Sequence, residues 1–252
     1  MGETLISLQA WGETDVGMKR RLNEDFFLVD ESAGAYLVAD GMGGHAAGDV
    51  ASRLAAERIM EGLQRAEEAL EEGIAATSLL RNAILAGHAR LMEAVRQDGS
   101  LKGMGTTVVV AFHPQPTREL LIAHVGDSRA YQLREGELHL LTEDHSWVHE
   151  QVAAGFLSEE AARKHPLKNV VTQALGGGTE PHVEIHSVAM RPGDLYLLCS
   201  DGLNVMIRDE EIERILVRSS SLEDASHNLI IAANRAGGND NITVVLLRAQ
   251  TG

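Results

Sequence analysis

Aspartates stand at the ends of apolar runs in this chain. AYLVAD reaches Asp40 and is followed by Gly41, LLIAHVGD reaches Asp127, and DLYLLCSD reaches Asp201 and Gly202. Asp240 comes just before ITVVLL, and Asp25 just before FFLV. One Asp-Gly at a strand end is ordinary turn chemistry. Five carboxylates, each at one tip of an apolar stretch, make a different pattern. If the tips meet at one edge, the carboxylates repel unless cations neutralise them. Oxygen-only donors suit hard divalent cations such as Mg2+ or Mn2+. A glycine beside a ligand lets the backbone approach, so its carbonyl can become a further ligand.

The stretch TDVGMKRRLNED (14–25) puts Arg20 five residues before Asp25. Arginine grips a phosphate through two parallel hydrogen bonds. Alone, Lys19, Arg20 and Arg21 read as a solvated basic turn. Beside an aspartate cluster, the arginine completes a site for a phosphoester.

Rival chemistries carry weaker signals. HSWVH (145–149) and HVEIH (182–186) hold His pairs at i,i+4 spacing, but neither is the His-Glu-x-x-His of a zinc hydrolase. GMGGHA (41–46) fits a dinucleotide loop after a strand, yet a second helical pattern at 77–97 follows where a ribose-binding strand is required. Neither a P-loop nor a His-Arg-Asp kinase motif occurs. Cys199 lacks the arginine six residues on that a cysteine phosphatase needs, since Val205 stands there, so it reads as a small buried strand residue. Trp11 and Trp147 read as packing residues, and His165 before Pro166 as a helix-end residue.

The positioning elements follow from the hydrophobic pattern. Strands are expected at 4–11, 26–30, 35–39, 105–112, 119–125, 129–133, 183–189, 194–199 and 241–248. Ala51, Ala55, Ile59 and Leu63 mark one long helix; Leu80, Ile84, His88, Leu91 and Val95 mark another. Shorter helices are expected at 146–153, 158–164, 209–217 and 222–235, and the EEALEEG stretch (67–73) as solvated surface. The short turn between 119–125 and 129–133 implies that these two runs pair antiparallel. Strands and helices do not alternate regularly, so two antiparallel sheets covered by helices fit better than a doubly wound parallel sheet.

Composition bounds the rest. The chain has 252 residues, 44% apolar and 23% charged, enough for a core without staples. With no Pro- or Ser-rich linker and no repeat, one domain over 1–252 is expected. A single cysteine excludes internal disulfides and a Cys-rich zinc site. Net charge of −15 argues against a nucleic-acid partner. There is no secretory pattern, Ile6 stands where a myristoylation signal wants Ser or Thr, and no apolar run reaches 18 residues, so a cytoplasmic setting without membrane association is expected.

Taken in order, TDVGMKRRLNED (14–25), VADGMGGH (38–45), MGTTVV (104–109), HVGDSRAY (124–131), LTEDHS (141–146), HPLKNVVTQALG (165–176), LCSDGL (198–203) and GGNDNITVV (237–245) resemble the metal-dependent serine/threonine protein phosphatases of the PP2C type in their bacterial form. The resemblance covers nearly the whole chain. It implies an α+β fold, a four-layer αββα sandwich of two antiparallel β-sheets flanked by helices, with two to three Mn2+ or Mg2+ ions at one edge. It implies that Asp40 bridges two ions, that Gly41 lends its carbonyl, and that Asp201 and Asp240 hold the other ion. Asp25 is then a ligand directly or through water, Glu24 assists, Asp127 matches the ligand of a third ion, and Arg20 binds phosphate. Residues 146–180 match a variable flap beside the cleft.

The implied reaction is hydrolysis of phosphoserine and phosphothreonine in proteins by direct attack of a water or hydroxide bridging two ions, without a covalent enzyme intermediate. The implied partners are phosphorylated proteins and a cognate Ser/Thr kinase that this reaction reverses; a monomer is expected. Two departures stand out. Met42 replaces the histidine that animal members carry after the Asp-Gly, leaving His45 or metal-bound water as the proton donor, and Asn204 and Val205 follow the Ser-Asp-Gly where relatives often have Thr and an acid. The alternative is a non-catalytic phosphoprotein-binding regulator of the same fold, whose usual sign is lost metal aspartates; none is lost here.

Overall fold

The strands Ala35–Met42, Val108–Phe112 and Glu119–Val125 are apolar on both faces, and this decides the architecture. The computed structural model describes residues 5–43 and 47–251. In chain order the strands are β1 (Ile6–Asp15), β2 (Asp25–Asp30), β3 (Ala35–Met42), β4 (Gly105–Thr106), β5 (Val108–Phe112), β6 (Glu119–Val125), β7 (Arg129–Arg134), β8 (Glu137–Leu140), β9 (Glu184–Ala189), β10 (Leu195–Cys199) and β11 (Ile242–Thr251). The helices are α1 (Gly48–Leu63), α2 (Ala66–Glu71), α3 (Ala76–Gln97), α4 (Trp147–Ala153), α5 (Glu159–Lys164), α6 (Asp201–Asn204), α7 (Asp209–Arg218) and α8 (Leu222–Arg235).

One sheet runs β1-β11-β10-β7-β8 and the other β2-β3-β5-β6-β9, with β4 paired to the end of β3. Successive strand residues point to opposite faces. Leu37, Val110 and Ala123 therefore pack with α1 and α3, while Tyr36, Val109 and Ile122 meet Tyr196, Leu198 and Val245 of the other sheet. That sheet turns Leu197, Val244 and Leu246 toward Ile212 and Leu229 of α7 and α8. The result is the expected αββα order. Both long helices bury the stripe that their spacing marks: Ala51, Ala55, Ile59 and Leu63 on α1, Leu80, Ile84 and Leu91 on α3.

Several details differ from expectation. The runs 119–125 and 129–133 do not pair with each other: β6 pairs with β5 and β9, whereas β7 pairs with β10 and β8. The short link between them crosses from one sheet to the other, with Gly126 at φ +108, a conformation glycine adopts freely. The run 105–112 breaks at Thr107, whose hydroxyl meets Ser128 Oγ at 2.7 Å and whose N–H donates to the Asp40 carbonyl instead of continuing a ladder. The acidic stretch at 67–73 is largely helical, because Ala66 and Leu70 anchor α2 on the core while its carboxylates face water. Strand β1 continues to Asp15, held by β11. Trp11 does not pack: it is 41% exposed on β1.

Candidate active site

All five aspartates stand at one edge of the two sheets. Asp25 opens β2 directly opposite Asp40 near the end of β3. In the other sheet, the end of β10 lies against the start of β11 and the start of β7, which brings Asp201, Asp240 and Asp127 to the same edge. Asp127 sits on the link that crosses between the sheets.

The backbone around Asp40 is tied on every side. Its carbonyl accepts from Thr107 N at 2.9 Å and Thr106 Oγ1 at 2.8 Å, and its N–H donates to Thr107 Oγ1 at 3.3 Å. Gly41 N donates to the Glu24 carbonyl at 3.1 Å. A Cβ at Gly41 would overlap the carbonyl oxygens of Gly48 and Glu24, so no other residue fits there.

Asp25 is 7% exposed. Its Oδ2 accepts from Ser200 Oγ and Thr243 Oγ1, both at 2.7 Å. Its Oδ1 is buried and has no hydrogen-bond partner among the described residues. Burial, with the nearby charges of Asp201 and Asp240, pushes its pKa up to about 7 against the pull of the two hydroxyls. Asp201 is pushed up to about 6, first by burial and then by Asp240, while Arg20 and Lys168 act in the other direction. Asp40 and Asp127 are raised well above the carboxylate range by burial and then by neighbouring aspartates, Asp25 for the former and Asp201 for the latter. Such mutual repulsion is what cations relieve. An all-oxygen donor set with one buried carboxylate oxygen left over fits a hard divalent ion.

Arg20 reaches the same edge from the loop after β1. Its Nη2 lies 2.6 Å from Asp240 Oδ2, with Glu24 4.0 Å away. Partial burial disfavours its charge, but the hydrogen bond and charge of Asp240 outweigh this and raise its pKa. Its side chain stays 47% exposed, so the guanidinium also faces the open side of the cluster. Glu24 contributes backbone as well: its carbonyl accepts from Ser52 Oγ at 2.6 Å. His45 lies outside the described residues.

Three residues that sequence reasoning passed over hold this arrangement. Asn241 accepts from Glu24 N at 2.8 Å and donates to the Val16 and Leu22 carbonyls at 3.0 and 2.9 Å, clamping the Arg20 loop beside Asp240. Ser200 and Thr243 orient Asp25. Their only signal was nearness to Asp201 and Asp240 in the sequence.

The two His pairs do not assemble as pairs. His145 instead stacks on His124, ring centroids 4.8 Å apart, and Nε2 atoms of His145, His186 and His124 lie 3.2, 3.7 and 4.0 Å from the Glu184 carboxylate. This resembles a zinc site in distances, but the hydrogen bonds assign the protons otherwise. Gly126 N donates to His145 Nδ1 at 3.2 Å, which leaves the proton of the neutral ring on Nε2. His124 Nε2 lies 2.7 Å from the Glu143 carbonyl and so carries a proton too. A ring nitrogen that holds a proton offers no lone pair to a metal, so neither Nε2 is a ligand in this arrangement. The cluster ties β9 to the Asp127 link.

The protein phosphatase 2C family model matches residues 18–234. The chain belongs to the protein phosphatase 2C family. It is 40% identical over 237 residues to the serine/threonine phosphatase stp of Listeria monocytogenes, covering 93% of each chain. The crystal structure of the Mycobacterium tuberculosis serine/threonine phosphatase PstP/Ppp superposes with a TM-score of 0.86 at 36% identity, covering 96% of this chain and 98% of that one. A structure of the PstP catalytic domain in complex with two manganese ions has a TM-score of 0.81 at 34% identity, covering 97% and 99% of the two chains. The protein is thus a serine/threonine phosphatase of a metal-dependent family, acting on phosphoproteins. No helix among the described residues is long and apolar enough to cross a membrane.

Within this phosphatase, α4 and α5 lie on the segment expected as a flap. It is rooted where Ser146 bridges Val171 and where Thr106 bridges Leu175. Trp147 packs face to face with His165, ring centroids 4.8 Å apart.

Proposed function

We propose that the aspartate edge is the hydrolytic centre of this phosphatase. In this reading Asp40, the Gly41 carbonyl, Asp201 and Asp240 would hold two ions between them, and Asp25 would bind directly or through water. Asp127 serves a third ion, and Glu24 supports the first. Two to three Mn2+ or Mg2+ ions supply, when bound, an activated water as nucleophile and positive charge at the phosphoryl oxygens.

The remaining chemistry belongs to side chains. Asp240 holds Arg20 in place by its hydrogen bond, and Asn241 fixes the loop beneath it. The exposed face of the guanidinium is then free to pair with two phosphoryl oxygens as charge builds on them in the transition state. Water attacks phosphorus in line, and the serine or threonine oxygen leaves as it takes a proton from His45 or from water in the site. No side chain is phosphorylated on the way. Cys199 in particular is buried in β10, and its thiol is pushed up to about 12 by that burial, too high for a nucleophile.

The observation that carries the proposal is the buried, unpartnered Oδ1 of Asp25 within a group of aspartates from both sheets whose charges oppose one another. The chain works as one domain, with 146–180 as its flap, as a cytoplasmic monomer that reverses a Ser/Thr kinase. The test is hydrolysis of a phosphothreonine peptide with Mn2+ and with chelator. Turnover with metal and none in chelator is the expected result; equal rates in both would sink the reading.

A further inference from the structure

Beside the aspartate edge lies a cavity of about 480 Å³, within the range of ligand pockets. Asp127 and Asp201 form one end of it. The flap helices line one side and the Asn204–Asp209 stretch the other. Its apolar lining includes Val148, Val152 and Ala162 from the flap, facing Val205, Met206 and Ile207. Val205 follows the helix that begins with Asp201, and it is 36% exposed, a branched apolar side chain left open to whatever enters.

The charges of the lining are not those of the chain as a whole. Arg129 and Asp144 neutralise each other through two hydrogen bonds of 2.8 Å. Apart from that pair and the two aspartates at the end, Arg163, Lys168 and Arg208 face Glu159 and Asp209. The four cations and five carboxylates of the lining thus nearly balance, on a chain of net charge −15. Lys168 is close enough for its charge to act on Asp201.

A phosphorylated residue seated at the aspartate edge is part of an extended segment. Each neighbour advances it by ~3.3 Å, so a residue about three positions away reaches ~10 Å. The cavity shares Asp127 and Asp201 with the edge itself, so a flanking side chain of the substrate lies within reach of it. We propose that this cavity is a substrate subsite that receives a bulky apolar side chain from within about three residues of the phosphorylated one, with anionic groups of the same segment meeting Arg163, Lys168 and Arg208. The inference rests on the reading of the aspartate edge as the hydrolytic centre. It goes beyond that reading by naming the substrate feature that the phosphatase selects.

The experiment uses the full chain with Mn2+, a panel of phosphothreonine peptides bearing Leu, Phe, Gly or Asp at each flanking position, and para-nitrophenyl phosphate, which has no flanking residue. The expected result is roughly a tenfold gain in kcat/KM for Leu or Phe over Gly at one or two positions. Val205→Asp on one wall and Val152→Asp on the other should each erase that gain, lowering the ratio of peptide to para-nitrophenyl phosphate kcat/KM. Arg163→Glu should weaken peptides with an acidic neighbour most. A flat panel in the wild type, or a preference that survives in both valine variants while para-nitrophenyl phosphate is still hydrolysed, overturns the subsite alone. Failure to hydrolyse either substrate class overturns the reading of the edge, and the subsite with it.

Discussion

Arg20 Nη2 lies 2.6 Å from Asp240 Oδ2, joining residues 220 positions apart in the sequence. The pair couples phosphate recognition to ion binding in the proposed centre. Asp240 both orients the guanidinium and offers its carboxylate to the edge, so the arginine is preorganised by a residue that is itself in the reaction's path. Asn241, next in sequence, holds the other side of the loop.

Arg20→Ala should therefore lower kcat/KM about 10²-fold, the usual effect of removing one preorganised donor from a developing anion. Arg20→Lys should recover only part of this, because a point charge replaces a two-pronged donor. Steady-state kinetics at saturating Mn2+ on a phosphothreonine peptide checks both. A lysine variant equal to the wild type would show that charge alone is needed.

Asp201→Asn should move activity and metal-free stability in opposite directions. It removes a proposed ion ligand, so turnover should fall by about 10² or more. It also removes a negative charge that raises the pKa of Asp25, Asp40 and Asp127, so the metal-free protein should melt higher than the wild type. Thermal denaturation in chelator, beside kinetics in Mn2+, tests the pair of signs. Asp240→Asn should share the loss of turnover.

Divalent ions should stabilise the fold as well as activate it. An ion at about 100 times its Kd adds ~2.7 kcal/mol to a folded state that alone binds it. For a chain of this size that is a rise of roughly 5–10 °C in Tm. Calorimetry with Mn2+ against chelator measures it, and identical melting points would contradict binding at this edge.

Acid stability should depend on Asp194, which lies away from the centre. It accepts from Arg134 Nε at 2.9 Å and Nη2 at 2.6 Å, from Arg191 N at 2.7 Å and from Tyr196 OH at 3.1 Å. Burial works against its charge, but these contacts outweigh it and hold the carboxyl below its usual range. A depressed folded pKa means that the stabilisation is present above the unfolded value of about 3.9 and is lost as pH falls through the folded value. Asp194→Asn should cost about 2 kcal/mol at pH 7, less than a fully buried pair because Arg134 is partly exposed. The gap between variant and wild type should close below about pH 4. Urea midpoints of both proteins in chelator, from pH 7 to pH 3, follow it.

The aspartates were legible because each follows or precedes an apolar run, and four of those runs, β3, β6, β10 and β11, are strands buried on both faces. The helices were legible through their stripes: Ala51, Ala55 and Ile59 lie where the period puts them. The crossing at Gly126–Asp127 was not legible. Gly-Asp-Ser signals a reversal, but nothing local says whether the next strand joins the same sheet or the facing one. Ser200, Thr243 and Asn241 were hidden for a related reason. Short polar side chains look like turn formers, and their partners at Asp25 and Glu24 lie 175, 218 and 217 residues away. The cavity lined by α4 and α5 was also out of reach, since Val152 and Val205 belong to segments that meet only in three dimensions.

The stacking of Trp147 on His165 gives the α4–α5 segment an optical signal of its own. Indole emission responds to an imidazole in contact with it, so any rearrangement of these two rings changes the fluorescence. The chain has only one other tryptophan, Trp11, which sits in solvent on β1. With Trp11→Phe as background, a single emitter reports any movement of α4 against His165 when a peptide is added, in stopped flow and without a label.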